Sequence, residues 1–383
     1  MGYIQYLNTM KIALSISIIV IGISLSCVNS NTNNDYNNIS LEYDSIVFKA
    51  DSFSLSFYKT FTINSGDGVF IGYNSILHSL DLFSLEDERF MRREILNSDG
   101  PNAVPVITSL LCHNSDSTFL FCLSQVILLN KDLKIKAKYY PYKCKGMIEN
   151  NIGQIHSSNF GKLLYHGFSG TLIVGSNLFE DNIEKPILAA YDLSLDSIYF
   201  LPVYYPQKDF KNGSYGLLKQ VNYSYLDDTL LYYGFAYTPG VFTFNFNKCE
   251  YSGFPVDIKV IPGAKPIRNK NVVFEEMNDH AIQSPMFFEP LVTSNYIVQI
   301  FQPGQDLINK NGEYNNFGNK DWNMLIYSRD GKFIENKALN GISIYRNSWF
   351  IYNDEIYFCP HPTRFNGRAH DMTSLIFYKI KLV

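Results

Sequence analysis

No run of basic residues occurs anywhere in the chain, whose 32 Lys and Arg are outnumbered by 36 Asp and Glu for a net charge of −4. Nothing here would neutralise a phosphate ladder, so a nucleic-acid partner is excluded. Charged residues of both signs are scarce, at 18%. Beyond Cys27 the cysteines are Cys112, Cys122, Cys144, Cys249 and Cys359. An odd number without regular spacing is neither a disulfide framework nor a CxxC metal site. Cys112 and Cys122 lie in apolar runs and read as small buried hydrophobes; a bridge among the five stays open, with no pair singled out. Walker and dinucleotide loops are missing. His166-Gly-Phe-Ser-Gly170 misses the Gly-x-Ser-x-Gly elbow by one residue. Asp306-Leu-Ile-Asn-Lys-Asn-Gly312 lacks the alternating oxygens and closing Glu of a calcium loop. Glu275-Glu-Met-Asn-Asp-His280 offers one histidine with loose carboxylates, a poor zinc set. No metal and no cofactor is expected.

What the chain does have is aromatic: 28 Tyr and 29 Phe. Such side chains suit pleated, half-buried surfaces and point to sheet. Ahead of the sheet-rich part, Lys11 precedes the apolar run Ile12–Ile23, then Ser24-Leu-Ser-Cys27, then a polar tract from Asn29 to Asn38. The run is short for a bilayer span and has the layout of a targeting peptide. It resembles a bacterial lipoprotein signal with Cys27 as the acylated residue, although Leu25 stands one position later than the usual lipobox places it. Met10-Lys11 offers an alternative start, and an ordinary cleaved signal is the competing reading. The expected organisation is a signal at residues 1–26, a polar tether at 27–40 and one domain at 41–383. The address is the cell envelope, an outer-membrane lipoprotein facing the periplasm and held by the lipid on Cys27.

A repeating unit runs through the domain: a β run ending in a polar residue, a tight turn, another run. Its anchors are Asp81, Asn130, Asp192, Asn245, Ser328 and Lys379. Four-stranded propeller blades take about 40–50 residues, so the anchors predict an all-β fold, a six-bladed β-propeller. The long interval from Asn245 to Ser328 leaves room for a seventh blade. Blade two is the clearest, with strands expected at Val106–Leu111, Thr118–Leu123, Val126–Asn130 and Leu133–Tyr139. A β-sandwich is the rival. Against it, the last repeat runs out of chain after its third strand, Ser374–Leu382, while Leu41–Ile63 lacks a partner in blade one. Pairing these two segments closes a ring.

The segment Leu96-Asn-Ser-Asp-Gly-Pro-Asn-Ala-Val104, followed by Ser115-Asp-Ser-Thr-Phe-Leu-Phe121, resembles a family of uncharacterised Bacteroidota lipoproteins, the domain of unknown function 4221 type. The resemblance implies a lipoprotein with a propeller-like domain and brings no catalytic residues.

Long connections are expected on one face of the disc, at Ser176–Lys185, Tyr237–Gly240, Phe301–Trp322, His361–Asp371, Asn97–Ala103, Tyr204–Tyr215 and Asp257–Ser284, because insertions there leave the blades intact. Candidate ligand-binding residues on that face are Asn102, Lys265, Arg268, His280, Trp322, His361, Arg364, Arg368 and His370. Arg364 and Arg368 suit a bidentate grip on a carboxylate or sulfate; His361, His370 and Asp371 suit metal or proton transfer. The plainer reading of that loop, a solvated segment with Asp371 paired to an Arg, is favoured. Likewise Tyr314, Phe317 and Trp322 either stack on sugar rings or, as favoured, pin their loop to the disc. The expected function is a non-catalytic binding or protein-interaction module whose ligand is an envelope protein or a glycan. The alternatives are a glycan-active hydrolase or lyase using His and Arg of this face, and a structural scaffold.

Overall fold

The computed structural model describes residues 39–147, 155–156, 162–176, 184–206, 213–227, 229–254, 261–267, 273–316, 318, 320–339, 341–346, 348–360 and 374–383. The signal, the tether through Asn38 and Cys27 lie outside them. So do Arg268 and the loop carrying His361, Arg364, Arg368 and His370.

The first strand, β1 (Leu41–Phe48), is followed by blade one: β2 (Phe61–Asn64), β3 (Val69–Asn74), β4 (Ser79–Ser84) and β5 (Arg89–Ile95). Blade two holds β6 (Ile107–Asn114), β7 (Ser117–Cys122), β8 (Val126–Leu129) and β9 (Ile135–Tyr139). Blade three holds β10 (Ile155–His156) and β11 (Leu164–His166), which both pair with β12 (Thr171–Ser176), then β13 (Leu188–Asp192) and β14 (Ser197–Leu201). Blade four is β15 (Val221–Leu226), β16 (Leu230–Phe235), β17 (Thr238–Asn245) and β18 (Glu250–Phe254). A helix, α1 (Phe274–Gln283), leads to blade five: β19 (Met286–Val292), β20 (Tyr296–Gln302), β21 (Asn323–Ser328) and β22 (Phe333–Ala338). Blade six is β23 (Phe350–Tyr352), β24 (Glu355–Phe358), β25 (Leu375–Leu382) and, as its outer strand, β1. The six antiparallel sheets stand in a ring, a six-bladed propeller.

Closure runs through β1 and β25, in register from Leu41 opposite Leu382 to Phe48 opposite Leu375. Only part of the expected closing segment does this. Leu41–Phe48 joins blade six, whereas Phe61–Asn64 pairs with Val69–Gly72 as the inner strand of blade one. Between the two, Lys49 bridges Arg89 in parallel, so the chain hydrogen-bonds the outer strand of blade one before crossing to its centre. The long interval from Asn245 to Ser328 holds no seventh sheet among its described residues. It carries β18, α1, β19, β20, a long connection and β21.

The repeat has a physical basis in the turn before each outer strand. The residue at the end of the third strand, or just past it in blade two, accepts hydrogen bonds from turn amides: Asn130 from Asp132 and Lys134, Asp192 from Ser194 and Leu195, Asn245 from Asn247 and Lys248, Ser328 from Lys332. Short oxygen-bearing side chains make this bond, so they recur there. In blade one the role belongs to Ser84, which accepts from Asp87, and not to Asp81, which lies inside β4. Lys379 is no turn residue either; it sits within β25. Each turn also needs a left-handed residue near its end: Glu88, Leu133, Asp196, Cys249 and Gly331. Blade five alone uses glycine at this position, so no shared letter marks it in the sequence.

The cores lie in the seams between blades. Leu82, Leu96 and Val104 meet Leu120 and Ile127 between blades one and two. The seam that closes the ring is aromatic, with Phe48, Tyr58, Phe70, Phe83, Phe350 and Phe377 packed together. Within it the Phe70 and Phe377 ring centres lie 5.2 Å apart. All five cysteines of the domain are free thiols.

Candidate functional site

In an antiparallel four-stranded blade, the second-to-third connection and the link to the next blade leave from one face; the other two turns leave from the opposite face. Here the opposite face has tight turns, such as Asn353-Asp354 between β23 and β24. The long connections 202–220, 255–285 and 303–322, in their described residues, therefore share the first face; the expected connection at His361–Asp371 lies outside the described residues. Tyr237–Gly240 does not belong among them. Its residues from Thr238 onward are already in β17, leaving only Ala236 and Tyr237 between strands.

Three of these connections are welded around α1. Ser214 and Ile267 form an antiparallel bridge, with N–H···O distances of 3.0 and 2.7 Å. The Gln305 amide donates to the carbonyl of Ile282 at 3.2 Å, and the Tyr314 hydroxyl donates to Asp279. Lys320, 2% exposed, places its ammonium on the carbonyls of Ala281 and Ser284 at 2.8 and 2.6 Å. These carbonyls end α1 and lack intrahelical partners, so the lysine caps the helix and complements its dipole. Burial, with a further push from the Arg346 charge, brings the Lys320 pKa down to about 7. Burial likewise draws the Arg346 pKa down to about 10, and its Nη2 donates to Gln302 Oε1 at 3.1 Å. Beside Lys320 and Trp322 lies a recess of about 340 Å³ whose lining includes Leu339, Gly341, Ile342 and Ser343.

The candidate residues are only partly brought together. His280 and Lys265 meet: the His280 ring nitrogen Nε2 donates to the Lys265 carbonyl at 2.6 Å. A carbonyl only accepts, so Nε2 carries the proton. Nδ1 is buried without a hydrogen-bond partner, and burial holds the ring's pKa below its ordinary value. This histidine is a brace between α1 and the strand-like segment before it. The Lys265 side chain is exposed. Trp322 is 3% exposed and packs against Phe288 and Trp349, which pins its loop from within and keeps the indole off the rim. Asn102 sits in a separate connection, between blades one and two. There Gly100 turns at φ +77°, and Lys138 of the next blade grips the carbonyls of Pro101 and Ala103, both at 2.9 Å. The Gly-Pro-Asn turn thus joins two blades.

The ring axis is the second candidate region. A cavity of about 330 Å³ runs along the inner strands, touching β2, β6, β11, β15, β19 and β23. Its walls are largely apolar, with Ile63, Leu111 and Ile351 half-buried at the centre of the disc. One ion pair interrupts them. Lys162 Nζ meets Glu289 Oε1 at 2.7 Å and donates to the Trp349 carbonyl at 3.2 Å; Trp349 Nε1 donates to the same carboxylate oxygen at 2.6 Å. Among the described residues lining the cavity there is no carboxylate, and Glu289 reaches it only through these two partners. Sequence reading missed this trio. Glu289 lies in the apolar strand Met286–Val292, and an acid in such a run was the signal available.

A family model described as domain of unknown function DUF4221 matches residues 34–293. A solved structure of a DUF4221 member from Bacteroides vulgatus is similar over 90% of this chain and 98% of its own, with a TM-score of 0.71 and 13% sequence identity. A protein from Bacteroides fragilis, named as a presumed exported protein, is similar over 90% of this chain and 95% of its own, with a TM-score of 0.54 and 10% identity. At such identities the likeness concerns the fold. No curated protein matches the chain. No helix among the described residues is long and apolar enough to cross a membrane.

Proposed function

The chain belongs to the DUF4221 family, and we propose that it is a lipid-anchored envelope protein whose long-loop face binds an envelope protein or a glycan. The observation that carries the reading is the platform around α1. A propeller needs no such structure to close, yet three connections from blades three to five are braced on one another above one face. Rigid scaffolds that present elaborated loops on one side are how many binding modules work. The sequence also supplies Arg268, Arg364 and Arg368 as cationic side chains, which suits an anionic group on the ligand. The address rests on the lipoprotein-like start at Cys27 and agrees with the exported character named for the Bacteroides fragilis neighbour.

The anchor is tested by feeding cells an alkynyl fatty acid. The wild-type chain should take up label and sediment with membranes, and Cys27→Ser should do neither; an unlabelled wild type overturns the anchor. The face is tested by retention on immobilised sulfated and uronate polysaccharides. Retention should fall at least tenfold in Arg364→Ala/Arg368→Ala, with the melting temperature nearly unchanged, because surface substitutions cost within about 0.5 kcal/mol. Equal retention of both chains overturns the assignment of the two arginines.

A further inference from the structure

We propose that the axial cavity binds a neutral, largely apolar small molecule that presents one hydrogen-bond acceptor to Lys162. The site is separate from the long-loop platform and does not depend on the reading of that face. Its volume of about 330 Å³ falls at the lower end of the roughly 300–1,000 Å³ range of small-molecule pockets.

The chemistry of the walls selects the ligand. Two hydroxyl side chains of the lining are committed to the wall itself: Thr62 Oγ1 accepts the Cys112 amide at 2.9 Å, and the Ser224 hydroxyl donates to the Pro290 carbonyl. What remains toward the axis is mainly aliphatic and aromatic surface, such as Ile63, Leu111, Leu164, Leu291 and Ile351. Water is held well only where about two to four polar partners surround it, so water in this cavity is poorly satisfied and easily displaced by an apolar body.

The ion pair supplies the orientation. The Lys162 side chain is 22% exposed, whereas that of Glu289 is 1% exposed. Lys162 lines the cavity, and Glu289, its counter-charge, does not. Glu289 Oε1 neutralises Lys162, and Oε2 is buried without a hydrogen-bond partner. A full negative charge on the ligand would compete with Glu289 for the same ammonium, while a carbonyl or ether oxygen adds to the pair without displacing it. Stability alone does not call for such a pair, since apolar residues of similar volume often serve a core equally well or better. A single polar group in an apolar pocket does fix a ligand's direction.

The test uses the full chain carrying Cys27→Ser, free of detergent, with the neutral naphthyl ketone dye prodan as probe. Saturable uptake of one dye per chain, with emission shifted to the blue, is expected. Leu111→Trp, which fills the cavity, should lower the affinity at least tenfold, and Ile351→Phe provides a second filling variant should the first fail to fold. Replacing Lys162 and Glu289 together by Met and Gln removes the acceptor contact without stranding the carboxylate, and should weaken binding about tenfold, as expected for loss of one hydrogen bond to a charged group. Absence of saturable uptake by the parent, or equal affinity in a folded filling variant, overturns the site. Equal affinity in the Lys162/Glu289 variant overturns the role given to Lys162.

Discussion

Arg93→Ala should destabilise the fold by about 3–5 kcal/mol, the cost of leaving a buried charge without its partner. The Arg93 guanidinium grips Asp81 through Nε at 2.6 Å and Nη2 at 3.0 Å, and Asp51 through Nη1 and Nη2, both at 3.1 Å. Its side chain is 13% exposed and that of Asp81 is 0% exposed. Around the carboxylate, the Tyr58 hydroxyl donates at 2.6 Å and the Asn74 amide at 3.1 Å. Burial and the adjacent carboxylate hold the Tyr58 phenol well above its ordinary pKa, so it remains a donor. The network ties three strands of blade one to residues 51–58, the segment that crosses from the closing strand to the ring's centre. Urea unfolding should show a lower midpoint for Arg93→Ala with little change in slope. Arg89→Ala is the control: its pair with Asp87 is exposed at 63% and 57%, and such pairs contribute about 0–1 kcal/mol. Equal midpoints for the two variants would remove the network from the account of stability.

This network shows where sequence reading stops. Asp81 was legible as a recurring polar residue near the end of a strand, and that is how it entered the repeat as an anchor. Its true role depends on Asp51, Tyr58 and Arg93, which come from a crossing segment and an outer strand, so no spacing brings them together. Ser84, the functional equivalent of Asn130 and Asp192, looked unremarkable because a serine carries a weaker turn signal than Asn or Asp. The closing pair was legible because β25 ends the chain one strand short of a blade, a counting argument that needs no contact. The helix was not. Val273 offers no side-chain cap, although Glu275 and Glu276 in the first turn match the helix dipole. On the long-loop face the sequence pointed to the connections around α1, misplaced Tyr237–Gly240, and named His361–Asp371, which lies outside the described residues. It singled out His280 and Trp322 as binding residues, and the structure sets one as a brace and the other in the core. Polar and aromatic residues on a loop look alike in sequence whether they hold the loop or a ligand. Lys162 and Glu289 were invisible as a pair because residues of blades three and five share no local pattern.

Deleting residues 41–48 should abolish cooperative unfolding altogether. The strand runs along all of β25 in unbroken register, and the pairing extends to mutual backbone bonds between Ser40 and Val383 at 3.0 and 3.1 Å. Ile46 and Phe48 are buried at 5% and 1% exposure, and they cover Leu375 and Phe377 in the aromatic seam. Burying such a side chain contributes about 1.5–3 kcal/mol, and each backbone hydrogen bond adds roughly 0.5–1.5 kcal/mol net. Two side chains and a ladder of this length together reach on the order of 10 kcal/mol, comparable to the whole stability of a typical domain. The loss is also qualitative. Without β1, the edge of β25 presents its backbone donors and acceptors to solvent, an invitation to pair with another chain. The deletion should therefore give aggregated protein, or a soluble form without a sharp thermal transition. A synthetic peptide of residues 41–48 added during refolding should restore the transition in proportion to its concentration, since it binds only the folded ring. Asp44→Ala, which removes an exposed partner of Lys379 from the same strand, should change stability by less than about 1 kcal/mol. A deleted chain that unfolds at the parent's midpoint, with the parent's slope, would show that the ring does not rely on its N-terminal strand.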